Sequence, residues 1–538
     1  MTQLAGFLDV VLRGLALIGL ATSIGGVPYA LWSLRPLQAS TSAEREAVRL
    51  ALHWVMLGAM LVAAARAVLT LVLQPWTLAE PGGRWPLVEF LGTDHARAML
   101  ASIGLAVALA GWARWLRNRP YASAGWWGLA GLALGLGLSS AWLSHAVSRL
   151  EGQGTLMAVT VLHQTGGLLW AGGVLHLGLL WRRSHSLGLN LAQWAAVLGR
   201  FSGLAWTAIL LVLLPGVFLA WSYIGAWGGL VGTGYGVMVL TKASLLLCAL
   251  ALGGMNFLMV RHWRGTGEPG LAPRRVRAFI EAELGIGMTI LLVAASLTSL
   301  PPAIDIHADR ATPSEVLTRF TPSLPRLASP PVGELLAVAA DIDDTLATRQ
   351  PEEYAWSEYN HHMSGLFVLC MGLLAMLERT GKARWARHWP LLFLGLAAFM
   401  FARNDPRAWP LGPAGFWESM TLPDVLQHRI AVLLVIALGL FEWMVRRGRL
   451  APRWRFVFPT LCAVGGALLL THSHAMFNLK TEFLTEVLHA PLGFFAVLVG
   501  WGRWLELRVP ESDRHLPGWI WSACFALIGF SLLMYREA

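Results

Sequence analysis

Long apolar blocks recur along the chain from Leu8 to Met534, and short polar stretches separate them. A helix that crosses a bilayer needs about 20 mostly apolar residues, and by this measure the pattern predicts about fourteen transmembrane helices. The sequence therefore predicts an all-α polytopic membrane protein. The predicted helices are centred near residues 20, 62, 105, 135, 168, 211, 248, 289, 369, 394, 435, 463, 493 and 526.

The composition supports this prediction. Only 13% of the 538 residues are charged, against about 25% in soluble proteins, and this is too little to cover the cores of a soluble chain of that length. The net charge of +10 comes from basic residues in short clusters between apolar blocks. Cytoplasmic loops of membrane proteins have that arrangement, so we expect the lipid bilayer as the surroundings and no nucleic-acid partner.

Alternate loops carry most of the 41 lysines and arginines. Basic loops lie on the cytoplasmic side of membrane proteins, and this alternation places the N-terminus outside. The first apolar block has no basic segment before it and no clear cleavage site after it, so we interpret it as a retained span.

One connection is much longer than the others. Residues 301–358 are rich in proline and acidic side chains, as in PSLPRLASPP and AADIDDTLATRQPEE. This composition predicts an extended outer linker rather than a folded domain. It divides the chain into an N-terminal module of eight spans, residues 1–300, and a C-terminal module of six spans, residues 359–538.

Histidines gather at one depth of the C-terminal module. Six of them fall in the outer half of the membrane or at its outer surface, on four predicted helices. They are His361, His362, His428, His472, His474 and His489. Ionisable side chains are costly within a bilayer and indicate function. Met476 lies at the same level, and a mixed histidine and methionine set favours copper. The N-terminal module adds His145 and His163 in its own outer half.

Three interpretations of this histidine cluster remain open. Neutral imidazoles bind transition metals such as copper. Two histidines on facing helices can also hold haem b between them, and His428 and His489 are the candidates. Finally, the histidines can be interfacial residues that hydrogen-bond neighbouring helices.

Three N-terminal segments carry polar residues at fixed spacing inside apolar helices: RFSGLAWTAILLVLLPGVFLAW, TGYGVMVLTKASLLLCALALGGMN and RAFIEAELGIGMTILLVAASLTSLPPA. With the preceding HQTGGLLWAGG, they resemble the copper resistance protein D family over roughly residues 150–305. The matching positions are Tyr235, Gly236, Lys242, Asn256, Glu283, Pro301 and Pro302, with His163, Trp170, Gly172 and Gly173 on the preceding helix. The C-terminal module resembles the extension of longer family members through YNHHMSGLFVL, LQHRIAVLL and LTHSHAMFN.

The resemblance implies a multi-pass protein of the bacterial inner membrane that moves or handles copper, beside a periplasmic copper-binding partner of the CopC type. The first hypothesis is copper transport without catalysis, with copper bound at the outer histidines and Met476. The second is a haem-containing membrane redox protein that reduces Cu(II). The third is a partner that delivers copper without transporting it. The phosphate-binding motif GxxxxGK[ST] is absent from the sequence, so ATP-driven pumping by this chain is not expected.

Overall fold

A computed structural model describes residues 2–35, 42–79, 85–306, 310–340, 350–403, 405–472 and 480–537. Every regular element within these ranges is a helix, and no β-strand occurs in them. The predicted all-α polytopic class is thus confirmed. Helices are what apolar segments of this length require, because an isolated helix satisfies its own backbone hydrogen bonds in lipid.

The chain has two compact units, Met1–Arg310 and Ala311–Leu470 with Lys480–Ala538. The finer division predicted from the sequence, with a linker over residues 301–358, stays a prediction. Among its described residues, the predicted linker contains the short helices Ala303–Asp305, Pro313–Phe320 and Val332–Ala340 and the beginning of the helix Pro351–Arg379.

Eight long helices lie in the described residues of the first unit. They are α1 (Thr2–Leu20), α2 (Ser42–Val68), α3 (Asp94–Asn118), α4 (Ser123–Ala141), α5 (Gln153–Arg182), α6 (Leu191–Ile224), α7 (Gly234–Thr266) and α8 (Ala272–Leu297). The π-helical segments Ala21–Gly25 and Tyr29–Leu34 extend α1, with the short helix Gly26–Pro28 between them, and Leu69–Leu73 and Gln74–Leu78 extend α2. Shorter helices are Leu87–Leu91, His145–Ser148, Ser184–Leu187, Trp227–Val231 and Ala303–Asp305.

The second unit contains the remaining helices. They are α9 (Pro313–Phe320), α10 (Val332–Ala340), α11 (Pro351–Arg379), α12 (Leu392–Ala402), α13 (Pro423–Arg446), α14 (Val457–His472), α15 (Lys480–Glu486), α16 (His489–Arg508) and α17 (His515–Leu533). Shorter helices are Arg384–Leu391, Phe416–Ser419, Pro452–Phe456 and Glu511–Asp513.

Eleven segments of the described chain are long and apolar enough to cross a membrane. The other three predicted spans are also helical, but two of them are less apolar and the third is too short. The apolar sequence of α5 is interrupted by the polar run His163–Thr165, and α4 is rich in glycine and tryptophan, whereas α12 has only 11 residues. The count of fourteen and the outward N-terminus therefore stay predictions.

Helix α1 and its π-helical extension lie in the interior of the first unit, in contact with α2, α5 and α8. The crossing with α5 depends on two glycines. A Cβ atom at Gly172 would lie 1.9 Å from the carbonyl oxygen of Ala21, and one at Gly25 would lie 2.1 Å from that of Leu168. Backbones approach this closely only where side chains are absent, so this contact fixes the position of α5.

In the second unit, α17 packs against both α11 and α16. An aromatic core lies among these helices and includes Trp389, Phe458, Trp521 and Phe525. Several rings meet edge to face, among them Trp389 and Phe525 with centroids 5.4 Å apart. Such pairs add stability beyond the area they bury, and the core supports the charged residues that end α11 and α13.

Candidate functional site

His163 on α5 and Lys242 on α7 are in direct contact. The Nδ1 atom of His163 lies 2.9 Å from the carbonyl oxygen of Val212, and its Nε2 atom lies 3.2 Å from Nζ of Lys242. A carbonyl only accepts, so Nδ1 carries the proton and Nε2 accepts from the ammonium group. The lone pair that a metal would need is therefore engaged by Lys242.

Glu283 on α8 receives two neutral donors. The indole Nε1 of Trp170 donates to its Oε1 atom over 3.0 Å, and Nδ2 of Asn256 donates to Oε2 over 3.4 Å. Glu283 is only 7% exposed, and no lysine or arginine of the described chain forms an ion pair with it. Buried carboxylates without a cation are unusual, and hydrogen bonds to both oxygens partly compensate this one.

The residues that carry the family resemblance thus touch one another. His163 and Trp170 are seven residues apart, so they share one face of α5. That face places His163 against Lys242 of α7 and Trp170 against Glu283 of α8. Polar groups from three helices therefore form two contacts in the first unit, one between half-buried His163 and Lys242 and one around buried Glu283.

His145 begins the short helix His145–Ser148. Its Nε2 atom lies 3.0 Å from the carbonyl oxygen of Leu297 and must donate to it. The rings of Tyr223 and Tyr235 lie beside it with centroids 6.4 Å away. Its Nδ1 atom has no hydrogen bond to any described residue. Metal-binding histidines commonly donate one ring N–H to a carbonyl and offer the other nitrogen to the metal, and His145 has this arrangement.

His361 on α11 has the same arrangement with the nitrogens exchanged. Its Nδ1 atom donates to the carbonyl oxygen of Ser357 over 2.8 Å, and its ring stacks on Tyr535 with centroids 4.0 Å apart. Within the part of the chain that the structure describes, Nε2 has no hydrogen-bond partner. His361 is therefore held in an orientation that leaves a lone pair for a metal.

His362 differs from its neighbour. Its Nδ1 atom accepts from the backbone N–H of Arg326 over 2.7 Å, and its Nε2 atom lies 2.7 Å from the carbonyl oxygen of Tyr535. Both nitrogens are engaged by the backbone, and the side chain is 2% exposed. This histidine connects three segments of the second unit, and its role as a ligand stays a prediction.

The other predicted ligands are less well placed. His489 begins α16 and is half-buried, and His428 on α13 is exposed. His474 and Met476 lie outside the described residues. His472 ends α14, and its side chain lies outside the described part as well. The structure brings together no group of three or more histidine, cysteine, aspartate or glutamate side chains that could hold a metal, as far as the described residues go.

The haem alternative does not fit the residues present. An axial ligand of a haem between helices is enclosed with the macrocycle, whereas His428 lies on the surface of its unit. Arg429 beside it is buried, and its Nη1 atom donates to the carbonyl oxygen of Phe401 over 2.5 Å. A second guanidinium nitrogen donates to the carbonyl oxygen of Trp409. Arg429 is thus bound to backbone, and we derive no step through a haem.

The second unit contains a set of paired charges that the sequence pattern does not indicate. Arg446 contacts Glu442 and Glu378, and Arg379 and Arg503 both contact Glu506. The arginines lie at or near helix ends, where the sequence pattern is typical of loop charges. The Glu442–Arg446 spacing of four residues was the available signal, because such a pair meets on one helix face.

Comparison with known proteins agrees with the resemblance. Residues 195–297 match the family model described as Copper resistance protein D, so the resemblance is confirmed over this stretch, which includes Lys242, Asn256 and Glu283. The chain is also 31% identical over 187 residues to a Bacillus subtilis (strain 168) protein named Copper transport protein CutJ. This alignment covers 35% of the chain and 33% of that protein, so the chain spans about a third of its curated relative. No solved structure matches the chain.

Proposed function

We propose that this multi-pass membrane protein transports copper across the bacterial inner membrane and binds it at histidine and methionine side chains on the periplasmic side. The match of residues 195–297 to the copper resistance protein D family carries the proposal. The relative named as a copper transport protein supports it. The contacts of Lys242, Asn256 and Glu283 support it further, because each of these family positions contacts another one: Lys242 contacts His163, and Glu283 contacts Trp170 and Asn256.

Copper first meets the histidines whose rings are already oriented. In the second unit His361 offers Nε2, and in the first unit His145 offers Nδ1. Each ring is held by a hydrogen bond from its other nitrogen, so little orientational freedom is lost on binding. Neutral imidazole binds a metal and imidazolium does not, so acidification weakens loading.

Passage through the first unit involves exchange at His163. Its Nε2 atom accepts from Lys242 when copper is absent, so copper and Lys242 compete for one lone pair. Copper binds as the ammonium group moves away, and the returning ammonium group displaces copper again. A ligand that is exchanged in this way holds the ion only transiently, as transport requires.

The chain carries copper rather than transforming it, in this proposal, and catalyses no reaction. Its driving force is an ion gradient or the handover of copper between proteins. A periplasmic copper-binding protein of the CopC type is the proposed donor at the outer face, where the predicted outer loops carry few basic residues.

The test measures copper binding and copper flux on the same purified protein, in detergent and in proteoliposomes. His361→Ala is expected to lower bound copper, whereas the matched control His515→Ala, at an exposed histidine of the same unit, leaves it unchanged. Unchanged copper content and flux in His361→Ala and His145→Ala would show that these residues are not ligands. An optical spectrum with a Soret band would restore the haem hypothesis.

A further inference from the structure

Residues 535–537, which follow α17, lie against the first half of α11. The ring of Tyr535 stacks on the imidazole of His361, with the centroids 4.0 Å apart and the planes 24° apart. Tyr535 is only 2% exposed. A stacked ring at this distance covers one face of the imidazole, so the plane of His361 cannot tilt without losing the contact.

Hydrogen bonds hold Tyr535 in place. Its hydroxyl donates to the carbonyl oxygen of Thr485 on α15 over 3.1 Å. Its own carbonyl oxygen lies 2.7 Å from Nε2 of His362, which donates to it. Two residues later, the backbone N–H of Glu537 donates to Oε1 of Glu358 over 3.3 Å. The position of the tyrosine ring is therefore set by two helices, without help from the histidine on which it stacks.

His361 needs such a neighbour because its hydrogen bonding alone does not fix its plane. Its Nδ1 atom donates to the carbonyl oxygen of Ser357, one turn earlier on the same helix. A hydrogen bond at one ring atom lets the ring pivot about that atom, whereas the stacked tyrosine fixes the plane. The two contacts together determine where the lone pair of Nε2 points.

The same contact favours the copper-loaded state of the ring. Copper bound at Nε2 places positive charge on the imidazole, and the face of a tyrosine ring attracts a cation within about 6 Å of its centroid. The stack therefore does more than restrict the free histidine. It stabilises the loaded histidine relative to the empty one.

We propose that Tyr535 is a positioning residue for copper binding at His361, and that His362 and Glu358 act on copper through Tyr535, because they hold the segment that carries it. The proposal rests on the proposed function, in which His361 is a copper ligand. It gives His362 a different role from that of its neighbour, since both nitrogens of His362 serve the backbone.

The experiment measures copper affinity of the purified full chain in detergent against a competing chelator. Tyr535→Leu removes the aromatic face and should weaken copper binding about three- to tenfold, as for the loss of one aromatic contact. Tyr535→Phe keeps the ring and should keep the affinity of wild type. Tyr359→Leu is the matched control, at a buried tyrosine of α11 whose ring contacts Phe399. Thermal unfolding of each variant reports its stability, and Tyr359→Leu should lose stability without losing copper affinity.

A double-mutant cycle tests the indirect role of His362. His362→Ala releases the carbonyl oxygen of Tyr535 and should weaken copper binding by itself. It should add no further loss in the Tyr535→Leu background, because residues that act through one contact are not additive. A direct ligand would add its own loss in that background, and this result would overturn the indirect role.

His361→Ala separates the two proposals. Unchanged copper binding in this variant would overturn His361 as a ligand, and the positioning role of Tyr535 with it. A loss in His361→Ala without a loss in Tyr535→Leu would overturn the positioning role alone. An equal loss in Tyr535→Phe and Tyr535→Leu would also overturn it, because the aromatic face would then be irrelevant.

Discussion

Three charged side chains of the first unit and a charged cluster of the second unit differ in their partners. In the first unit Lys242 contacts neutral His163, and Glu283 contacts neutral Trp170 and Asn256. Arg66, buried in α2, likewise donates to the hydroxyl of Ser140 over 2.9 Å. None of these three charged groups forms an ion pair within the residues that the structure describes.

In the second unit the arginines near the ends of α11, α13 and α16 are paired with glutamates, whereas buried Arg429 donates to backbone carbonyls. Arg446 lies between Glu442 and Glu378, and Arg503 donates to Glu506 over 2.5 Å. Breaking a buried pair leaves an uncompensated charge, whereas removing an unpaired charge removes a cost. The comparison indicates that the paired charges are needed for the fold. The charged groups of the first unit lack an opposite charge, so their neutral hydrogen-bond partners are what a substitution removes.

Removing a paired arginine of the second unit should have the largest effect on the free energy of unfolding. Arg446→Met leaves Glu442 and Glu378 without their cation and should destabilise the protein by about 3–5 kcal/mol. Denaturant unfolding in detergent measures the loss, and Arg447→Met is the control at an exposed position. A loss no larger than that of the control would show that the fold does not need these ion pairs.

Glu283→Leu should have the next largest effect. It removes the acceptor for the indole of Trp170 and the amide of Asn256, at a cost of about 1–3 kcal/mol. Glu283→Gln should be milder, because Asn256 Oδ1 has no partner in the described structure and can accept from the new amide if the asparagine side chain turns over. Thermal unfolding compares the two. Equal stability of both variants would show that the hydrogen bonds to Glu283 contribute nothing.

Lys242→Met removes one of the charges of the first unit that have no ion pair in the described structure. The variant loses a membrane-embedded charge and one hydrogen bond, so its stability should stay within about 1 kcal/mol of wild type. Copper flux in proteoliposomes should fall by about tenfold or more, while bound copper rises because His163 is no longer contested. Lys382→Met, at an exposed lysine, is the control. Unchanged flux would contradict exchange at His163.

The smallest effect is expected at a surface pair outside the spans. The Lys480 Nζ atom lies 2.7 Å from Oε1 of Glu315, and hydrogen bonds from Lys480 and Thr312 lower the pKa of Glu315 to about 2 from 4.5. A lowered carboxylate pKa stabilises the fold above the unfolded value and ceases to do so as the pH falls toward the folded value.

The melting temperature of wild type should therefore slightly exceed that of Glu315→Gln near pH 6. The difference should shrink as the pH is lowered from about 4.5 toward about 2. A difference that does not change with pH would show that the ionised pair contributes nothing to it.

The helical class follows from the sequence because the length and hydropathy of a block are local properties. The side of a helix on which a residue lies also follows from the local sequence. The residues that it contacts across the fold do not. His361 and His362 are adjacent and differ by about 100° around α11. Only the folded chain shows that this rotation engages both nitrogens of His362 with backbone and leaves Nε2 of His361 without a described partner.

The sequence also does not show which residues far apart in the chain contact each other. The family resemblance singles out His163 and Lys242, but 79 residues separate them and nothing in their spacing says that they touch. Arg379 and Glu506 are 127 residues apart. Arginine at the end of an apolar block is typical of a cytoplasmic loop, so the sequence places it correctly along the chain and gives no sign of its buried partner.

The enclosed position of α1 has a consequence for how the protein is made. In its apolar 18-residue stretch 67% of the residues are buried, the largest share among the described spans, and it is covered by α5 and α8, which follow much later in the chain. The carbonyl oxygen of Thr22 accepts a hydrogen bond from His176 of α5 over 2.9 Å, and this bond forms only after α5 has been made. At ordinary translation rates the interval before α8 emerges is on the order of tens of seconds. During that interval lipid or the insertion machinery must cover the surface of α1 that later becomes the interior.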